Sequence, residues 1–186
     1  MYATQQLRNE HENIVLALKL LDNLSSNVEA EKPVNLDDLE QLIDFLESFL
    51  DHCHRVKEEN CLFPALESVG VTKDNGPIGV MLVEHVDGCI FIHAMRETFT
   101  NLRIHDSQSR MAFVNAAIGF SHRLKSHIQK ETSYFSLADQ QLSSEKHQEM
   151  INGFDRIEQD HLGLDRHNYY SALLDRLSNT YLNPAE

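Results

Sequence analysis

No proline interrupts the chain between Ile78 and Asn183, and only Pro33, Pro64 and Pro77 precede that stretch. Proline lacks an amide proton and its ring clashes with the preceding helical turn, so long helices exclude it while turn-rich β architectures accumulate it. The chain is therefore read as all-α. Apolar residues recur at helical spacing in four long segments: Leu7, Ile14, Leu18, Leu21; Leu39, Ile43, Leu46, Leu50; Ile78, Leu82, Ile92, Phe99; and Phe113, Ala117, Phe120, Leu124. The breaks between them carry start and stop chemistry. Pro33, Asn35 and Asp38 offer an N-cap before the second segment, Gly70, Gly76 and Pro77 separate the second from the third, and Asp106 with Ser107 opens the fourth. Ser143 and Ser144 cap a fifth segment, and Gly163 separates it from a sixth with Tyr169, Leu173, Leu174 and Leu177. Four long helices on short connections predict an up-and-down four-helix bundle over about residues 4–138. Two additional C-terminal helices, about 143–180, pack on its end or side, all within a single domain spanning residues 1–186.

Extending each stripe in steps of three and four residues brings polar residues onto the core face. The first seam runs Leu7, His11, Ile14, and the second runs Leu50, His54, Glu58, Cys61. The third runs Leu82, His85, Cys89, Ile92, and the fourth runs Leu124, His127, Glu131, Tyr134. A buried imidazole or carboxylate is costly unless it is paired or coordinated, so six of them on one core must satisfy each other or satisfy a metal. Chance would give roughly one His-x-x-x-Glu pair in a chain of this composition, and three occur. Only two of the three start on a seam: His93, eight residues beyond His85, belongs with Glu97 on the surface, and His52 lies opposite His54.

Mixed nitrogen and carboxylate donors suit iron or manganese, with zinc as the usual competitor. Six ligands exceed what one open ion takes, whereas Glu58 and Glu131 can bridge two ions. Each ion would then hold two histidines, two bridging carboxylate oxygens and an oxo or hydroxo bridge, with one open position for dioxygen, peroxide or nitric oxide. Cys89, one turn from His85, is expected to be a non-ligand and a small buried hydrophobe, because a thiolate would draw zinc. Such a centre needs a gated opening. The last two helices, with His161, His167, Tyr169 and Tyr170, are expected to line that access or approach the open position.

Composition removes other classes. With 29 acidic against 16 basic residues, a net charge of −13 argues against nucleic acid or an anionic membrane as partner. Three cysteines without a CxxC pair support neither a disulfide framework nor a cysteine zinc site, which fits a reducing cytoplasm. No signal core opens the chain, and the apolar stretch around Ile78 to Val83 falls far short of about 20 residues. A ferritin-like di-metal site would need two Glu-x-x-His motifs, and Glu158 to His161 is the single instance.

The residues resemble the hemerythrin-like, HHE cation-binding family. Glu10-His11, the stretch from Cys53 to Pro64 with His54 and Glu58, the stretch from Pro77 to His85, and His127-Ile-Gln-Lys-Glu131 are similar to its four helical motifs in order. The resemblance covers about residues 5–180. It implies a non-heme di-iron site held by His11, His54, Glu58, His85, His127 and Glu131, with zinc or manganese as substitutes. Oxygen-carrying members place a further histidine on the third helix and use His-x-x-x-x-Asp on the fourth; here Met81 and Cys89 flank His85, and the fourth-helix spacing is shorter. The ligand set is similar to that of iron-sulfur-cluster repair proteins, without their cysteine-bearing N-terminal domain. Two functions follow: a redox-reactive protein handling oxygen, peroxide or nitric oxide, with or without turnover, or a module without turnover that stores iron, senses its state or donates it as the iron-sulfur repair proteins do.

Overall fold

The computed structural model describes residues 2–102 and 106–183, with the side chains of Leu164 and His167 outside the described set. It is all-α, with no strand among the described residues. Helix α1 is Ala3–Glu29 and α2 covers 36–67; α3 is Pro77–Leu102, α4 Ser107–Gln141, α5 Ser144–His161 and α6 Leu164–Tyr181. The caps are largely those expected. Asn35 accepts from the backbone N–H of Asp37 at 2.9 Å, Asp106 from Ser109 at 2.7 Å and Ser143 from Lys146 at 3.2 Å. At the start of α1 the cap comes from elsewhere in the chain, since the Ala3 N–H donates to Nδ1 of the buried His147 on α5 at 3.2 Å.

Helices α1 to α4 form the bundle, and its core falls into two apolar clusters. One gathers Ile14 to Leu24 of α1 with Leu39 to Cys53 of α2, Ile92 to Leu102 of α3 and Phe113 to Phe120 of α4. The other gathers Ala3 and Leu7 with Leu62 to Leu66, Ile78, Met81, Phe135 and Ala138. Between them, on all four helices, lies one polar layer.

Helix α2 is not uniform. Its turns over Leu46–His54 and Glu58–Leu62 are π-helical, with the Arg55 N–H donating to Leu50 O and the Phe63 N–H to Glu58 O, five residues back. The wider turn keeps steps of four residues in line, so Leu50, His54, Glu58 and Leu62 share the core face. The seam expected to end at Cys61 therefore ends at Leu62, and Cys61 is half-buried beside α5.

The last two helices lie along the side made by α1 and α2. Helix α5 seals the second cluster with Met150 and Phe154, and α6 seals the first with Tyr170, Leu173, Leu174 and Leu177. A Cβ on Gly153 would stand 2.6 Å from Cys61 Sγ, so α5 approaches α2 as closely as only glycine permits. Gly163, at φ +71°, makes the turn into α6. Helix α3 alone among the described helices is long and apolar enough to cross a membrane by length and composition. In this fold it packs on α4, carries Glu84 and His85 inward, and leaves Val83, Val86 and Ile90 exposed.

Candidate metal centre

The six seam residues meet in the polar layer, and they divide into two matched sets. Nε2 of His11 and Nε2 of His54 lie 3.2 Å apart; Glu131 Oε2 is 3.1 Å from His11, and Glu58 Oε1 is 3.1 Å from His54 and 4.0 Å from His11. Nε2 of His85 and Nε2 of His127 lie 3.1 Å apart, with Glu58 Oε2 at 3.2 Å from His85 and Glu131 Oε1 at 3.1 Å from His127. Each carboxylate thus turns one oxygen to each histidine pair. Within each set of four residues all donor atoms lie within 4.8 Å of one another.

These distances fit a metal. Donors bound at about 2.1 Å to one ion stand about 3.0 Å apart at right angles and about 3.4 Å apart at tetrahedral angles. Three of the four carboxylate oxygens, Glu58 Oε1 and both of Glu131, are buried without a hydrogen-bond partner among the described residues. Orphaned carboxylate oxygens at 0 to 1% residue exposure are costly, and a cation between them and the imidazoles removes that cost. Neither set includes a thiol among the described residues. Burial pushes Cys89 up to about 11, with Asp51 adding to it, and pushes Cys53 up to about 12. Cys89 is half-buried rather than buried as expected, and its Sγ donates to Asp51 Oδ1 at 2.9 Å.

Behind the layer stands a set of carboxylates that the seams alone do not reveal. His54 Nδ1 is 2.7 Å from Glu10 Oε2, His85 Nδ1 is 2.7 Å from Glu59 Oε1, and His127 Nδ1 is 3.0 Å from Glu84 Oε2. A cation holds each carboxylate in turn: Lys57 donates to Glu10 at 2.6 Å, Arg55 to Glu59 at 2.9 Å, and Lys130 to Glu84. Glu10, Glu59 and Glu84 each adjoin a layer residue in sequence. Neighbours on a helix point about 100° apart, so each reaches across to the histidine of the next helix. His11 lacks such a carboxylate among the described residues, and its ring lies against Phe135 at 5.1 Å between centroids. The sequence signal was an acidic residue directly flanking a layer residue, as in Glu10-His11, Glu58-Glu59 and Glu84-His85.

The protein electrostatics follow from this packing. Burial works against a charge on His54, but Glu58 and Glu10 outweigh it and raise His54 to about 10. Burial likewise opposes and is outweighed at His85, which its hydrogen bonds to Glu58 and Glu59 raise to about 9, and at His127, raised by Glu131. Glu58 is held well below the usual carboxylate range despite burial, chiefly by His54.

A cavity of about 40 Å³ opens beside the layer, walled by apolar residues including Ile14, Leu50, Ile92, Phe120, Leu124 and Ile128. One water needs about 10–15 Å³, so the space holds about three water-sized molecules, and the six layer residues form part of its wall. The parts of its wall that reach solvent are Asp51, Arg55, Gly88, Arg123, Leu124 and Ile128, on α2, α3 and α4. Among the described residues none of its lining comes from α5 or α6, which for Tyr169, Tyr170 and His161 corrects the expectation that those helices cover the access. Tyr170 instead is buried against Phe45 and donates to Asp44 at 2.9 Å; Tyr169 is exposed near Gln41, and His161 is exposed. The side chain of His167 lies outside the described residues. What α5 does bring to the site is Glu158, 3.5 Å from Lys57 Nζ and 3.3 Å from Gln6 Nε2.

Compared with known proteins, residues 2–138 match the hemerythrin HHE cation-binding domain, from α1 to the last turn of α4, while α5 and α6 lie beyond the match. No curated protein and no solved structure matches the chain. With the family match covering all but the last turn of the four-helix bundle and all six residues of the polar layer, the chain belongs to the hemerythrin HHE cation-binding family.

Proposed function

We propose that this chain is a non-heme di-iron protein that reacts with or senses dioxygen, peroxide or nitric oxide. The observation that carries the reading is the division of the layer. Two histidine pairs share two carboxylates, each carboxylate giving one oxygen to each pair, beside an apolar space large enough for a diatomic molecule or a peroxide. In this reading His11 and His54 hold one ion, His85 and His127 hold the other, and Glu58 and Glu131 bridge. Bound iron would supply one-electron redox chemistry and open coordination positions, with zinc or manganese as substitutes. The chain's own part is to fix the imidazoles through Glu10, Glu59 and Glu84, to keep bulk water out with Leu50, Ile92 and Phe120, and to admit only small ligands. The reading takes the protein as cytoplasmic, with a small molecule as partner and neither nucleic acid nor membrane, because a net charge of −13 repels both.

The test is metal analysis with an optical spectrum of the purified protein, followed by peroxide and nitric oxide addition. Two irons per chain and a spectral response to either ligand support the reading. A chain that takes up no iron, or one whose loaded spectrum ignores both ligands, overturns it. Peroxide consumption that disappears in His54→Ala separates turnover from storage or sensing. The sensing form draws on three linked contacts, the path Glu158–Lys57–Glu10–His54, which joins α5 to the layer.

A further inference from the structure

The ligand set is symmetrical, two histidines on each side of two carboxylates, yet what stands behind it is not. Proceeding round the bundle, α1 backs α2 through Glu10 and His54, α2 backs α3 through Glu59 and His85, and α3 backs α4 through Glu84 and His127. The circuit does not close. Beside its layer residues α4 carries Ser126, Ile128, Lys130 and Thr132, none of them acidic, and Lys130 is already engaged with Glu84. His11 therefore turns to Phe135 instead of a carboxylate. In consequence the His85 and His127 pair has both imidazoles backed, and the His11 and His54 pair has one. The single backing carboxylate on that side, Glu10, is itself neutralised by Lys57, which at 0% exposure lies 2.6 Å from it.

A carboxylate on Nδ1 fixes the ring's tautomer and orientation and raises the basicity of Nε2, and losing one typically costs 10–100-fold in metal affinity. From the broken circuit we infer that the two halves load in order: the first divalent ion occupies His85 and His127, and the His11 and His54 half is the weaker, exchangeable position. Glu59 and Glu84 are the positioning residues that set this order, and Glu10 is their weaker counterpart. The inference rests on the dinuclear reading above and adds to it an asymmetry that the six ligands by themselves do not contain.

The experiment is a titration of the metal-free full chain with cobalt(II), followed by visible absorption and by calorimetry. Two steps separated by at least tenfold are expected, beyond the fourfold ratio that two identical independent sites produce statistically. Glu84→Gln and Glu59→Gln are expected to weaken the first step by about 10–100-fold and to alter the cobalt spectrum of the one-ion species. Glu10→Gln is expected to weaken the second step and leave the one-ion spectrum unchanged. A merely structural role for these glutamates would move both steps and both spectra together. Crystals of the unsubstituted chain with one equivalent of zinc provide a check free of any folding defect, with anomalous density expected between His85 and His127. Two ions bound without order, or density first at His11 and His54, overturns this inference and leaves the dinuclear reading standing. Saturation at one ion or none overturns both.

Discussion

His54 and Glu58 oppose each other's ordinary titration, and the pH dependence of the metal-free protein follows from that. His54 is raised from 6.5 to about 10, His85 from 6.5 to about 9, and Glu58 is lowered from 4.5. A raised histidine stabilises the fold fully below about 6.5, and that contribution is lost as the pH climbs through the folded value. A lowered carboxylate stabilises above about 4.5 and loses its contribution in acid. The metal-free chain should therefore melt highest between about pH 4.5 and 6.5 and fall by on the order of 5 °C between pH 7 and 10. With zinc bound the imidazoles are neutral ligands, and the decline over that alkaline range should vanish. Melting curves in chelator and in zinc check this, and parallel curves would refute it. Lys57 gives a second expectation. It is fully buried with Glu10 at 2.6 Å, so Lys57→Met leaves that buried carboxylate to His54 alone and should cost about 3 kcal/mol in urea unfolding. Adding Glu10→Gln to that variant should recover more than half. At this scale the six layer residues were legible because each interrupts an apolar stripe at helical spacing. Glu10, Glu59 and Glu84 were not, since an acid beside a seam reads as solvated until the neighbouring helix is placed. Tyr170 was misassigned for a related reason: periodicity shows that its ring is buried but not which helix, here α2 through Asp44 and Phe45, receives it.

Helix α2 shows what a periodic reading handles poorly. The seam spacing assumes 3.6 residues per turn, whereas the turns over Leu46–His54 and Glu58–Leu62 are wider. The extra width puts both His54 and Glu58 inward while Phe45, Phe49 and Leu62 stay in the core. Steps of four residues, Leu46, Leu50, His54, Glu58 and Leu62, were visible in the sequence, but the shorter step to Cys61 fits an α-helix equally well. Removing one residue inside the first wide turn should restore ordinary helical bonding and rotate Leu36–Phe45 by about 100° relative to His54. Deleting Glu47 is thus expected to keep the far-ultraviolet helical signal while lowering the melting temperature by more than about 10 °C, because Leu39, Leu42 and Ile43 leave the core. Glu47→Ala removes only the half-exposed pair with Arg96 and should cost under about 1 kcal/mol. If the two variants melt alike, the wide turn has no structural role. By contrast the bundle helices α1, α3 and α4 follow regular periodicity, their stripes were read with little error, and Asp106 caps α4 as expected.

At the scale of the molecule the bundle has two unlike sides. Along α1 and α2 it is sealed by α5 and α6, whose Phe154, Tyr170, Leu173 and Leu177 join the core. Along α2, α3 and α4 it is thin, and the cavity beside the layer reaches the partly exposed Asp51, Arg55, Gly88 and Arg123. Sequence could show that the last two helices were amphipathic, but not which side they cover, because both sides of the bundle present similar apolar margins. The two sides should respond differently to substitution. Gly88 sits within α3, and a Cβ there would meet Phe120 at 3.9 Å, an ordinary contact, so a larger side chain can be accommodated by filling the cavity rather than displacing backbone. Gly88→Leu also raises helix propensity by roughly 0.8–1 kcal/mol, which protects folding and metal uptake. It should slow azide or peroxide binding to the iron-loaded protein by about tenfold or more, since the branched side chain occupies most of a 40 Å³ space. Glu158→Gln on the sealed side alters the support of Lys57 without touching the cavity wall, so it should shift the midpoint of metal release and leave the ligand-binding rate within twofold of the parent. Stopped-flow traces at several azide concentrations measure both variants. Equal slowing in the two would place the route under α5 after all, and an unchanged rate in Gly88→Leu with full metal content would show that ligands enter by a path the cavity does not mark.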